Sequence, residues 1–197
     1  MDLKEPKVDE TVFNNNVDWM EFYGDLKEED PPNMPTLLGR PVSMTAFVDA
    51  DHASNVVTRR SHSGYFVFIM NALMVSFSKK QNTVEASTYG SELVAMRIVC
   101  DRIVEMRIKC KSIGLPFLRS SEVYCDNQGV VMNTSIPAST LSKKHNSVKY
   151  HIIRESAAAN ILRVGKEDTE TNLSDCLTKL LPYSRKVKLT SRILWEY

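Results

Sequence analysis

From residue 43 onward the pattern of apolar and polar positions divides the chain into regular elements. Residues 44–48 form a mainly apolar run ending at Asp49, which reads as a buried strand. Residues 51–63 are polar, contain Arg59 and Arg60 and show no apolar period, so a loop is expected. Gly64 then opens residues 65–70, which are aromatic and β-branched on both faces, as in an interior strand. Asn71-Ala72 supplies a tight reversal into residues 73–77, and three strands with short connections read as an antiparallel meander. Next, Tyr89, Leu93, Met96, Cys100, Ile103, Met106, Cys110 and Ile113 recur every three or four residues, which predicts one long helix with a continuous apolar stripe. Gly114 and Pro116 follow in the order that ends helices. Glu92 lies on the shoulder of the stripe, where it can point along the sheet edge instead of into solvent.

The second half alternates between the two periods. Residues 123–125 read as a short strand, 127–132 as the start of a helix, 145–159 as a helix, 161–164 as a strand and 173–180 as a helix. Strand–helix–strand order implies parallel pairing through right-handed crossovers. The expected fold class is α/β: a mixed five-stranded sheet, three antiparallel strands then parallel strands, with helices on both faces. The first forty or so residues are polar, with Pro31, Pro32 and Pro35, and read as an extension whose Trp19, Phe22 and Tyr23 can dock on a neighbouring surface. The expected division is residues 1–42 as N-terminal extension, 43–182 as the domain and 183–197 as a C-terminal helical tail.

Composition narrows the classes. An apolar content of 43% in 197 residues supports a real core. No apolar run approaches the roughly 18–20 residues of a membrane span, and the opening residues are charged with no apolar signal core, so an intracellular protein is expected. Cys100, Cys110, Cys125 and Cys176 show no paired metal-ligand spacing. The first two share a predicted helix about 15 Å apart, too far to bridge, so reduced thiols are expected. The net charge of +1 is modest for a nucleic-acid binder. Basic residues come in pairs, Arg59-Arg60, Lys79-Lys80 and Lys143-Lys144, so a nuclease of this charge would depend on a partner for grip.

Four acids stand at the edges of different elements: Asp49, Glu92, Asp126 and Asp175. Gathering carboxylates raises their pKa values by mutual repulsion, and hard divalent ions such as Mg²⁺ or Mn²⁺ are the usual compensation. Two-metal sites hold ions about 3.5–4 Å apart and serve phosphodiester chemistry. Each acid also has an ordinary role open to it. Asp126 can cap a helix, Asp175 can favour a helix dipole, and Glu92 can pair with Arg97 or Lys79. Asp51 lies past its strand's end. His145 and His151 are six apart, the wrong spacing for one helical face, and suit packing or surface roles.

The motifs in order are more specific than the acids alone. They are Phe47-Val48-Asp49-Ala50-Asp51; Arg59-Arg60-Ser61-His62-Ser63-Gly64-Tyr65; Ser76-Phe77-Ser78-Lys79-Lys80-Gln81-Asn82-Thr83-Val84; and Ser91-Glu92-Leu93-Val94-Ala95. Then come Cys125-Asp126-Asn127-Gln128, the block Lys144-His145-Asn146-Ser147-Val148-Lys149-Tyr150-His151 with Arg154-Glu155, and Asn172-Leu173-Ser174-Asp175-Cys176-Leu177-Thr178-Lys179. Over about residues 17 to 182 the chain resembles the ribonuclease H domain of copia-type LTR retrotransposon polyproteins. The resemblance implies a ribonuclease H-like fold and cleavage of the RNA strand of RNA–DNA hybrids. Asp49, Glu92, Asp126 and Asp175 would be the catalytic acids and would hold two Mg²⁺ or Mn²⁺ ions. Asn127, Gln128, Arg59, Arg60, Lys79 and Lys80 are candidates for nucleic-acid contact, with 2′-hydroxyls marking the strand to be cut.

The chain departs from the family pattern in two places. Leu180 stands where the family commonly has proline, and no histidine lies between the last strand and Asp175. The family places this domain after a reverse transcriptase, the expected partner, and no polymerase motif precedes Asp49. A processed or truncated piece of a polyprotein, or a relic reading frame, is therefore expected. A catalytically weak or inactive remnant serving as a nucleic-acid or protein interaction module is the alternative function. An integrase-like transposase ranks behind both, because no Cys/His zinc cluster occurs.

Overall fold

The computed structural model describes Phe13, residues 18–141, residues 146–191 and Ile193. Lys143, Lys144 and His145 lie outside the described residues.

One five-stranded sheet organises the molecule. Its strands are β1 (Met44–Ala50), β2 (His62–Ile69), β3 (Ala72–Lys80), β4 (Ser121–Cys125) and β5 (Leu162–Lys166). The spatial order is β3-β2-β1-β4-β5, with β1–β2 and β2–β3 antiparallel and β1–β4 and β4–β5 parallel. This is the mixed α/β sheet that the patterning predicts. Every residue of β1 is buried, because this strand has partners on both sides and cover on both faces.

The alternation of β1 separates two cores. Met44, Ala46, Val48 and Ala50 face a layer made of α2 (Thr88–Ser112), α3 (Gln128–Ser135) and α4 (Ser147–Ala158). Phe47 faces the opposite side, where Phe13, Phe66, Tyr124, Leu173 and Leu189 gather beneath α5 (Asp175–Thr178) and α6 (Tyr183–Thr190). Helices therefore cover both faces. Within α2 the apolar stripe is core from Leu93 through Cys110, but Ile113 is 74% exposed. It sits at the C-cap, where the helix has already turned away from the sheet.

Several boundaries shift from their sequence positions. The first hairpin turns at Met70-Asn71, one residue earlier than expected, with Met70 at φ 54°. Strand β2 begins at His62 because Ser63 already pairs with both Ala50 and Lys79. The helix expected over residues 173–180 is the single turn α5, and Leu180 beyond it is fully exposed.

The N-terminal segment docks on the helical layer. A short helix, α1 (Met20–Tyr23), brings the Tyr23 hydroxyl to Arg154 Nε at 3.0 Å and to His151 Nδ1 at 2.8 Å. Farther on, Glu28 accepts from Arg107 Nε and Nη2 at 2.7 and 2.8 Å, a bidentate pair between side chains that are largely buried. Phe22, by contrast, remains exposed. All four cysteines are free thiols. Among the described residues no helix is long and apolar enough to cross a membrane.

Candidate active site

The carboxyl ends of the parallel strands β1 and β4 form the floor of the site. Val48 pairs with Cys125, so the next residues, Asp49 and Asp126, emerge side by side. An open sheet collects ligands at such strand ends, where the chain order reverses. Oxygen atoms of Asp49, Asp126 and Asp175 lie within 4.8 Å of one another. Glu92 joins from the first turns of α2, and one of its oxygens lies within 4.8 Å of Asp126 and of Cys125 Sγ.

Helix caps determine which acids are available. At the start of α3 the capping group is Asn127, whose Oδ1 accepts from Val130 N–H at 3.2 Å. The ordinary role open to Asp126 is thus filled by its neighbour, and the Asp126 carboxylate has no protein donor among the described residues. The same bond commits the Asn127 oxygen to the backbone, which leaves Gln128, exposed beside it, as the freer polar group. At α2, Ser87 caps by accepting from Gly90 N–H at 3.2 Å. Ser91 is fastened by Gln81, which donates to its carbonyl at 2.9 Å, and by a 2.8 Å hydroxyl contact with Ser61. His52, one residue past Asp51, touches the Ser91 hydroxyl at 3.0 Å. Those ties aim Glu92 inward. It is 3% exposed and accepts from Ala50 N–H at 3.1 Å, so it does not pair with Arg97 or Lys79, and Arg97 pairs instead with Asp101.

Asp175 arrives from the opposite core. Opposite Asp49 in the β1–β2 register stands Gly64, and a Cβ there would lie 2.7 Å from Leu177 Cβ and 2.8 Å from Thr178 Cγ2. The absent side chain is what lets α5 lie directly against the sheet. Ser78 Oγ donates to Leu177 O at 2.6 Å, and Asn172 Nδ2 donates to Val48 O at 3.1 Å, closing the seat from both sides.

Three residues at the site were not singled out by the sequence. Lys179 Nζ lies 3.0 Å from Asp49 Oδ1 and 2.6 Å from Asp175 Oδ1. Thr178 Oγ1 donates to Asp49 Oδ2. Arg185, from α6, reaches Asp175 Oδ2 at 2.5 Å. Lys179 was legible in principle, because it stands four residues after Asp175, the spacing that stacks side chains on a helix. Nothing in the sequence points to Arg185.

The electrostatics follow from burial. Desolvation pushes the Glu92 carboxyl well above the usual range, with Asp49 and Asp126 adding repulsion and the Ala50 N–H opposing. Asp49 is also pushed up, chiefly by burial, with Lys179 and Thr178 opposing. Burial alone would lower Lys179, but Asp49 and Asp175 outweigh it and hold the ammonium above its ordinary value. The Cys125 thiol is fully buried and pushed well up, so it stays protonated and is a poor ligand. The usable donors are therefore carboxylate oxygens, a set that suits a hard divalent cation such as Mg²⁺ or Mn²⁺.

The basic candidates share this end of the sheet. Lys79 and Lys80 pair with Ser63 and His62, next to the strand position of Asp49, and Arg59 and Arg60 lead into β2. Both arginines and Lys79 are exposed, while Lys80 is half-buried. Asp51 lies beyond β1 and is occupied by His62, whose backbone N–H donates to it at 2.5 Å.

No family model matches the chain. Over 158 residues it is 31% identical to the retrovirus-related Pol polyprotein from transposon RE1 of Arabidopsis thaliana, an alignment covering 79% of this chain and 11% of that polyprotein. Over 142 residues it is 29% identical to the corresponding polyprotein from transposon TNT 1-94 of Nicotiana tabacum, covering 72% of this chain and again 11% of the relative. The chain thus spans about a tenth of the length of the curated relatives it matches. Among solved structures it is similar to LC11-RNase H1 in complex with RNA/DNA hybrid, with a TM-score of 0.55, 13% identity, and coverage of 69% of this chain and 94% of that one. The N-terminal RNase H domain of Rv2228c from Mycobacterium tuberculosis gives a TM-score of 0.52 at 14% identity, covering 70% and 91%. The fold is ribonuclease H-like, and with these relatives the chain belongs to the ribonuclease H domains of copia-type retrotransposon Pol polyproteins.

Proposed function

We propose that the chain is a metal-dependent endonuclease that cuts the RNA strand of RNA–DNA hybrids as part of a Pol polyprotein. One observation carries this reading: Asp49, Glu92, Asp126 and Asp175 come from four separate elements and converge at the end of two parallel strands. The relatives' Pol context and the hybrid bound by LC11-RNase H1 support the same substrate class.

In this reading Asp49, Glu92, Asp126 and Asp175 hold two Mg²⁺ or Mn²⁺ ions, which would supply an activated water and stabilise the departing oxygen. Asp126, without a protein donor, offers both oxygens. Glu92 is braced by the Ala50 N–H, so its carboxyl stays aimed at the site whatever its protonation. Gln128 and Asn127 would meet the hybrid's minor groove, and Arg59, Arg60, Lys79 and Lys80 its phosphates. The nuclease unit is residues 43–182, residues 1–42 are the connection from a reverse transcriptase domain, which would be the main source of grip, and residues 183–197 are a C-terminal tail whose helix α6 brings Arg185 to the site. An intracellular setting goes with this assignment.

The test is cleavage of an end-labelled hybrid with Mg²⁺ or Mn²⁺, compared with Asp126→Asn. The expected outcome is metal-dependent cutting that falls by at least about 10³-fold in the variant, because residues acting as a unit fail together. Equal cutting by Asp126→Asn sinks the mechanism. A second reading, a non-catalytic interaction module, draws on the engagement of both oxygens of Asp49 and Asp175 by protein groups. Hybrid binding that ignores metal, with no cutting by wild type at any concentration, is the result that selects it.

A further inference from the structure

Two of the four acids already have a cation. Asp49 presents Oδ1 to Lys179 and Oδ2 to Thr178, while Asp175 presents Oδ1 to Lys179 and Oδ2 to Arg185. No oxygen of this pair is left without a protein partner. The Glu92–Asp126 side is different, since Asp126 has no protein donor among the described residues and Glu92 has a single backbone N–H. Lys179 is also only partly sequestered: its side chain is 34% exposed, and it hangs from the last turn of α5 on a flexible stem.

We propose that the Lys179 ammonium is a tethered counter-cation that a divalent ion must displace from Asp49 and Asp175, making Lys179 a positioning residue that controls loading of that half of the site. The proposal rests on the nuclease reading for the meaning of the site, but not for its test. Physically, four carboxylates converge on the site, and among the described residues only Lys179 and Arg185 form ion pairs with them. With Lys179 in place, a divalent ion has the Glu92–Asp126 side open to it. A second ion gains Asp49 and Asp175 only if the ammonium swings away toward solvent. Until then Lys179 keeps two buried carboxylates compensated, so the metal-free domain holds its geometry instead of flying apart by repulsion.

The experiment uses the full chain and Mn²⁺ alone, with no nucleic acid. In wild type, reductive methylation of Lys179, read by peptide mass spectrometry, is compared in metal-free and Mn²⁺-saturated protein. Displacement predicts several-fold greater modification in the presence of the ion, while Lys109, remote on α2, stays unchanged. Calorimetric titration then compares wild type with Lys179→Met and Lys179→Arg. Removing the competitor is expected to tighten Mn²⁺ binding by about tenfold or more, since an adjacent opposite charge is worth one to three powers of ten in carboxylate occupancy. Lys179→Arg, which keeps the charge, should remain near wild type. Equal labelling of Lys179 with and without Mn²⁺ overturns the proposal, and so does a folded Lys179→Met protein that binds Mn²⁺ no more tightly than wild type. If Lys179→Met does not fold, the wild-type labelling decides alone. Hybrid cutting is scored separately. Cutting that depends on Asp126 with unchanged labelling removes this inference and leaves the nuclease, whereas increased labelling without cutting does the reverse.

Discussion

Gly64 is the most economical place to test how the site is assembled. A methyl group added there would lie 2.7 Å from Leu177 Cβ and 2.8 Å from Thr178 Cγ2. Both neighbours sit close to the backbone of α5, so neither can swing aside as the end of a long side chain could. Carbon atoms pack at about 3.5–4.0 Å, so α5 must retreat by about 0.8 Å or more. Overpacking of this kind costs about 1–3 kcal/mol. For a chain of this size each kcal/mol lowers Tm by about 2–4 °C, and a drop of about 2–12 °C is expected for Gly64→Ala. The same retreat carries Asp175, Thr178 and Lys179 away from Asp49, because Gly64 is the strand partner of Asp49. Misplacement on the order of 1 Å costs up to about 10²-fold in rate. Cleavage should therefore fall far more than the loss of folded protein explains. Melting followed by circular dichroism, with hybrid cleavage assayed well below Tm, separates the two effects. Wild-type melting and wild-type cutting in Gly64→Ala would refute the argument that this glycine seats α5.

The buried acids make a signed prediction about pH. Glu92 and Asp49 are raised in the folded state, so the native protein holds protons that the unfolded chain has lost, and metal-free stability should fall as pH rises above about 4.5. Glu92→Gln keeps the acceptor for Ala50 N–H and removes the charge, so in EDTA it should exceed wild type by on the order of 1 kcal/mol at neutral pH and by less at pH 4, measured by urea denaturation; a gap that does not grow with pH removes the cause assigned here. Glu28→Ala strands the buried Arg107 and should destabilise the fold by about 3–5 kcal/mol. A negligible loss would mean the N-terminal segment does not dock in solution. Lys79→Ala should weaken hybrid binding and lower the slope of log K against log salt by about 1, with no change in preference among hybrids of different sequence. An unchanged slope would remove Lys79 from the phosphate contacts.

Periodicity reports how often a chain returns to one buried face, and for that reason it located all five strands and the long stripe of α2 within a residue or a few. It also placed Asp49 and Asp126 at the ends of strands that could be neighbours, and the Val48–Cys125 pairing makes them so. Contacts between distant segments leave no period. Gly64 reads as the opening of a strand, yet its role depends on the Leu177 and Thr178 side chains that pack on it. Asn127 and Asp126 are equally good helix caps as letters, and only the local path of α3 gives the cap to Asn127 and leaves Asp126 open. Lys179 was half visible, through its spacing from Asp175. Its bond to Asp49 crosses 130 residues and exists only because α5 lies on the second face of the sheet. Arg185 belongs to a helix read as a tail, and burial of Leu189 is what swings it over Asp175. Composition and spacing therefore specify which side chains can bear the chemistry, whereas the register of β1 against β2 and β4 sets which of them meet, since a shift of one residue would turn Asp49 to the other face.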